Sequence, residues 1–321
     1  AFEALVPPDP NIAPVPFSVT LCGTAADFRD LQERHGVAGD HPAFYVRGRG
    51  RLVAGSDLPA LVSQERVAAD TLSVTEREIA ARDRAFEENV RRLAIDLEGQ
   101  GLPAGKRADA VQLARTRWQR ERDALVADVA AARRDNAARV ATARREFFAR
   151  LTHEAWHAHA DRRLASPDAK ALPPWLDEGL AQVFESAPLE AGELRLDAAD
   201  PVRLKALRDL LGSGSPPSLE AMLDAGPSQF LVGHQGGRET SRRHYLLAWG
   251  LAFHLAVLEP VLSPEAVVTL AGHRATGQEA DDSGSGRAQF ERLVGMPLAE
   301  FEPAWRRRML ALKAGASQSD R

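Results

Sequence analysis

Cysteine is nearly missing from this chain: Cys22 is the only one among 321 residues, so no intrachain disulfide can form. Set in Val19-Thr20-Leu21-Cys22, it reads as a small buried hydrophobe, because no basic or helix-terminal neighbour stands ready to stabilise a thiolate. Long apolar runs are lacking too. None approaches the ~20 residues needed to span a bilayer, so no transmembrane segment is expected. Nor is there an excess of one charge: a net charge of −4 offers no basic footprint for nucleic acid and no pull toward an anionic membrane. The Gly-rich turns Gly48-Arg49-Gly50 and Gly233-His234-Gln235-Gly236-Gly237 lack the Lys-Ser/Thr ending of a phosphate loop, which argues against nucleotide binding.

What is present is ordinary globular composition, 44% hydrophobic and 27% charged, at a length that suits one large domain or two modest ones. The opening, Pro7-Pro8-Asp9-Pro10 with Pro14 and Pro16, reads as an extended lead-in over 1–16 of the kind found after an export signal or a tether. An exported protein is therefore favoured over a cytoplasmic one.

Residues 17–72 read as a small unit of strand, helix and hairpin. Phe17-Ser18-Val19-Thr20-Leu21 is strand-like, Ala25 to Arg34 is amphipathic, and Ala43-Phe44-Tyr45-Val46 and Arg51-Leu52-Val53-Ala54 flank a Gly-containing turn. The character changes over 73–145 to long charged helices with a thin apolar seam. Ile79, Phe86, Val90, Leu93 and Leu97 form one side, and Val111, Trp118, Leu125 and Val129 form the other after a Gly-rich break, which predicts an antiparallel helical arm. Such an arm either grips a protein partner or simply closes on itself, with its Arg and Glu residues as solvated faces. Residues 146–313 are largely helical, with helices expected over Phe147 to Leu164, from Pro174 through Glu185, over Pro201 to Leu211, His244 to Leu258 and Leu298 to Lys313. Gln278 to Gly286 reads as a loop and 314–321 as a polar tail.

The chemistry concentrates at His153-Glu154-Ala155-Trp156-His157. On a helix, a four-residue spacing puts both imidazoles on one face about one turn apart, so that they can share an ion. Glu154, next to the first histidine, is placed to reach a water on that ion instead of the ion itself, as a general base must. About twenty residues on, Pro174-Trp175-Leu176-Asp177-Glu178-Gly179-Leu180-Ala181 brings a carboxylate, Glu178, on a second helix. Two neutral imidazoles and one carboxylate suit Zn²⁺, one per chain, with a fourth position open. Gln182, one turn beyond Glu178, is a candidate to orient a ligand histidine, and His159, off the ligand face, reads as a surface or rim residue.

HExxH followed by W-L-x-E-G resembles the signature of gluzincin metallopeptidases, the class that contains thermolysin-like and aminopeptidase-N-like enzymes, and His153, Glu154, His157 and Glu178 match it position by position. The chain is similar, more closely, to a bacterial peptidase-MA-like family of unassigned function, which shares the early strand–helix–hairpin unit, both motif helices and a later Y-x-x-A-W helix, here Tyr245-Leu246-Leu247-Ala248-Trp249. That similarity takes in most of the chain outside the arm. It implies an α+β, mostly helical, zincin-like domain with a small N-terminal sheet and the long helical hairpin as an insertion. It also implies peptide-bond hydrolysis by a zinc-bound water that Glu154 deprotonates, acting on a peptide or protein substrate. Tyr245 is the candidate to steady the oxyanion. The GxMEN-like motif of aminopeptidases is absent ahead of His153, so recognition of a free amine is not expected. The alternative is a non-catalytic zinc-containing scaffold acting through its arm, for which the retained Glu154 would have no use.

Overall fold

A computed structural model describes residues 2–6, 17–37, 42–164, 172–190, 193–214, 216–230, 238–271 and 285–313. The chain forms two compact units, one from the described residues within Ala1–Ser56 and Phe147–Arg321, the other from Asp57–Glu146. It is mostly helical with a small three-stranded sheet, an α+β protein as expected. The elements run α1 (Phe2–Leu5), β1 (Ser18–Cys22), α2 (Ala25–Arg34), β2 (Ala43–Val46), β3 (Arg51–Gly55), α3 (Leu58–Gly99), α4 (Ala104–Leu164) and α5 (Pro174–Ser186). They continue with a short hairpin of β4 (Leu189–Glu190) and β5 (Glu193–Leu194), then α6 (Pro201–Leu211), α7 (Leu219–Leu223), α8 (Arg238–Phe253), α9 (Pro264–Leu270), α10 (Gly286–Val294) and α11 (Leu298–Ala311). No helix among the described residues is long and apolar enough to cross a membrane.

The sheet order is β1-β3-β2, with β1 parallel and β2 antiparallel to the central β3. Side chains on a strand alternate between faces, and here the two faces have different partners. Val53 joins Phe28 of α2 and Phe44 on one side. Leu52 and Ala54, with Ala43, meet Phe147, Leu151 and Ala155 of α4 on the other. The sheet is thereby fixed onto the helix that carries HExxH, with β1 and β2 as its two edges. Thr24 starts α2 by accepting from the Asp27 amide at 3.1 Å. Cys22 is half-buried against the Phe28 cluster, less deeply than a core hydrophobe, and burial followed by the nearby Asp27 raises its thiol pKa.

The main core lies among α4, α5 and α8, where Trp156, Trp175, Trp249, Phe184, Leu176 and Leu180 are almost fully buried. α5 and α8 run very close together, because a Cβ on Gly179 would sit 2.5 Å from the Ala248 carbonyl oxygen. Two details differ from the expected pattern. Residues Phe2–Leu5, placed in an extended lead-in, form the short helix α1, because Phe2 finds a ring pocket, 4.5 Å from Phe184 and 6.0 Å from Trp156. The helix expected to run unbroken to Leu258 changes at His254 into a π-helical turn, and Pro260, unable to donate an amide, lies just beyond its end. Residues 7–16, 191–192, 231–237, 278–284 and 314–321, with His41 and His273, lie outside the described residues.

The second unit is a helical hairpin. Its first helix already starts at Leu58, upstream of the change expected at Ser73, because nothing between Pro59 in its first turn and Gly99 interrupts it. Gly101, at φ 75°, makes the turn. Ile79, Val90 and Val129 are buried in the seam, Phe86 stacks on Trp118 at 5.6 Å, and the Trp118 indole donates to Asp83 at 2.6 Å.

Candidate metal centre

Two elements bring the predicted ligands together. His153 and His157 project from one face of α4, their ring centroids 4.9 Å apart, and Glu178 comes from the first half of α5. The Nε2 atom of His153 lies 3.5 Å from Glu178 Oε2, and that of His157 lies 3.7 Å from Oε1. One ligand atom from each residue falls within 4.8 Å of the others, and both histidines are buried. Two ligands each about 2.1 Å from a tetrahedral ion are about 3.4 Å apart, so this spacing fits a metal. Glu178 Oε2 is moreover buried without a hydrogen-bond partner, an orphan that an ion would satisfy.

The other nitrogen of each ring is occupied. His153 Nδ1 lies 3.0 Å from Glu185 Oε2, and His157 Nδ1 lies 3.0 Å from Asp177 Oδ1. A carboxylate at Nδ1 holds the proton there and leaves the Nε2 lone pair pointing at Glu178, the tautomer a metal ligand needs. The carboxylates are themselves anchored. Asp177 accepts from the Trp156 indole at 3.1 Å and from Arg47 at 2.6 Å, while Glu185 pairs with Arg203 at 3.1 Å. Burial alone would raise the Asp177 carboxyl, but His157 and Arg47 hold it well below the usual carboxylate range. Glu185 is brought down to about 2 against the same burial, chiefly by His153 and then by Arg203 and Arg150. For His157, burial works downward and is outweighed by Asp177, with Glu178 and Glu154 adding, so the imidazole titrates at about 9 in the absence of metal.

Glu154 stands apart from the ligand trio. One of its oxygens accepts from the Tyr45 backbone amide at 2.9 Å, on the free edge of β2, and the other pairs with Arg150 at 2.5 Å. The same hairpin is tied down further along α4, where Asp161 accepts from the Tyr45 phenol at 2.7 Å and from the Gly48 amide at 3.2 Å. Tyr245 of α8 lies beside Glu178, and burial together with that carboxylate pushes its phenol pKa well above the ordinary range.

One expectation is corrected. Gln182 does not orient a ligand histidine: its amide nitrogen donates to the Glu178 carbonyl at 3.3 Å and the Tyr245 carbonyl at 3.1 Å, and its oxygen accepts from Arg203 at 2.8 Å. The histidine positions are taken by Asp177 and Glu185, whose longer or better-placed carboxylates reach the ring nitrogens. His159 is half-buried, as a rim residue is, with its Nε2 2.9 Å from the Val6 carbonyl and its ring 5.5 Å from Phe2. Sequence reasoning missed Asp177, Glu185, Arg150, Arg47, Arg203 and Tyr45. A signal existed for two of them: Glu185 is two turns after Glu178 on the same face of α5, and Arg150 is one turn before Glu154 on α4.

A family model described as a protein of unknown function (DUF1570) matches residues 147–260. That stretch contains His153, Glu154, His157, Glu178 and Tyr245 and excludes the β2–β3 hairpin, a narrower range than the sequence motifs suggest. No curated protein and no solved structure matches the chain.

Proposed function

We propose that the protein is a zinc-dependent metallopeptidase of the gluzincin type, with a zincin-like catalytic domain and one Zn²⁺ per chain held by His153, His157 and Glu178. The observation that carries this reading is the pair of imidazoles locked by Glu185 and Asp177 so that both Nε2 atoms face the Glu178 carboxylate. Zinc bound there would polarise the scissile carbonyl and bring the pKa of a coordinated water to about 7. The group contains three protein ligands among the described residues, which fits a catalytic site with an open fourth position better than a closed structural one.

The chain's own residues supply the rest. Glu154, steered by Tyr45 and Arg150, keeps a second lone pair on each oxygen, so it takes the proton of the attacking water and returns it to the leaving amine. The Tyr245 phenol stays protonated because burial and Glu178 oppose its ionisation, which keeps it a donor to the oxyanion that forms during attack.

Elemental analysis of purified protein, run beside Glu154→Gln and Glu178→Ala, tests this. About one zinc per chain is expected in the wild type and in Glu154→Gln, and little in Glu178→Ala, with peptide hydrolysis confined to the wild type. Hydrolysis undiminished in Glu154→Gln would remove the proposed base, and full zinc in Glu178→Ala would remove the ligand.

A further inference from the structure

Arg150 lies one turn ahead of Glu154 on α4 and gives its Nη2 to Glu154 Oε1 at 2.5 Å. A fifth of its side chain (21%) remains exposed, yet its Nε is buried and has no hydrogen-bond partner. Its charge is felt at two other groups of the centre, helping to lower Glu185 and opposing the rise of Tyr245. The cation thus stands directly beside the proposed general base.

Holding the metal does not require it. His153 and His157 are oriented by Glu185 and Asp177, and those carboxylates are paired with Arg203 and Arg47. Arg203 gives donors to both Glu185 and Gln182, which ties it into the frame. Arg150 differs: a guanidinium presents five donors in a flat fork, and one carboxylate oxygen uses one of them. A buried Nε left without a partner is costly unless a further acceptor completes it, and the fork matches a carboxylate in two-point geometry.

We infer that Arg150 recognises a carboxylate that the substrate carries next to the scissile bond, so that the centre selects acidic peptides over neutral ones. The carboxylate is either the free C-terminus of the peptide or an Asp or Glu side chain, since both present the same two oxygens. This inference rests on the proposed peptidase reading, whose water-activating residue is Arg150's present partner. A site built to hydrogen-bond a substrate group rejects the analogue lacking that group far more strongly than an apolar pocket rejects a missing methylene.

The test is calorimetric titration of the zinc-loaded Glu154→Gln protein, which has no base for turnover. The probes are four peptides: N-acetyl-Ala-Ala-Glu, its Gln analogue, and the C-terminal amide of each. The neutral Gln amide is expected to bind at least about tenfold more weakly than the best acidic probe, and whichever carboxylate restores affinity identifies the source. Adding Arg150→Met in the same background abolishes the difference, while Arg150→Lys keeps part of it. Because Glu154→Gln has already removed the charge that Arg150 balances, the double variant leaves no buried carboxylate unpaired at that position, and circular dichroism checks that it is folded. Equal affinity for all four probes, a preference that survives Arg150→Met, or no binding by any probe overturns the inference. Arg150-dependent binding without hydrolysis by the wild type would retain carboxylate recognition and remove the peptidase. Wild-type hydrolysis of the neutral amide as fast as of the acids would do the reverse.

Discussion

At the scale of single residues, the centre depends on two carboxylates that do not touch the proposed metal. Glu185 fixes the His153 ring through Nδ1, and partners of this kind are typically worth about 10–100-fold in metal affinity. Glu185→Ala is therefore expected to weaken zinc by that order in a competition titration against a chromophoric chelator. Gln182→Ala, by contrast, removes bonds only to two backbone carbonyls and to Arg203, and zinc affinity should be retained. An equal loss in both variants would show that the centre responds to general disturbance of α5 and not to the orientation of His153. The same contrast explains what was legible. His153, Glu154, His157 and Glu178 could be read because their relations are set by helical periodicity within one or two short segments. Asp177 could not, because an acidic residue on an amphipathic helix looks like a solvated face until the neighbouring helix is in place, and Glu185 offered only its shared face with Glu178. The contact between the Tyr45 amide and Glu154 joins residues 109 apart in the chain and depends on how the sheet seats on α4, which no local pattern encodes.

At the scale of elements, the α5–α8 approach brings Tyr245 beside Glu178, and Gly179 is what permits it. An added methyl there would press on the Ala248 carbonyl oxygen at 2.5 Å and the Ala252 Cβ at 2.9 Å, so backbone would have to move. Gly179→Ala should cost about 2–3 kcal/mol in denaturant unfolding, at the upper part of the overpacking range. At Gly250 the nearest atom is the far end of the flexible Leu207 side chain, and Gly250→Ala should cost roughly 1 kcal/mol. The reverse order would mean that the two helices are not held where Gly179 puts them. A second element, α1, docks through His159, whose pKa is lowered by burial more than the Val6 carbonyl raises it. Above pH ~6.5 the ring is neutral whether folded or unfolded. As pH falls below that value the unfolded chain takes up the proton first, so stability drains away on the acid side. Melting temperatures at pH 7.5 and 5.5 should therefore drop further in the wild type than in His159→Gln, and equal drops would rule out His159 as the source. Helix α1 was hidden in the sequence because four residues carry no periodicity, and the aromatic pocket that makes Phe2 helical is assembled from Trp156 and Phe184 far along the chain.

At the scale of the whole molecule, the chain is two compact units, and every group assigned to the metal lies in the one that includes Phe147–Arg321. The hairpin of Asp57–Glu146 holds itself together with a narrow seam whose buried members are Ile79, Val90 and Val129, aided by the Phe86–Trp118 stack. The sequence disclosed that seam well, since its residues recur at helical spacing within each helix; the start of the first helix was missed although Asp57 and Pro59 mark it. A ligand that binds only the folded state adds RT ln(1 + [L]/Kd), about 2.7 kcal/mol at a hundredfold excess over Kd, and it adds this only to the cooperative unit that binds it. Calorimetry of the full chain should then show zinc raising one transition, with chelator reversing the shift, while a second transition belonging to the hairpin stays in place. Trp118→Ala should act the other way. It removes the indole's bond to Asp83 and its stack on Phe86, lowers the hairpin transition by an amount corresponding to about 2 kcal/mol for a half-buried aromatic, and leaves zinc stoichiometry unchanged. If zinc shifted both transitions together, the units would be energetically coupled through the continuous helix Ala104–Leu164, and the arm would have to be counted as part of the metal centre's support.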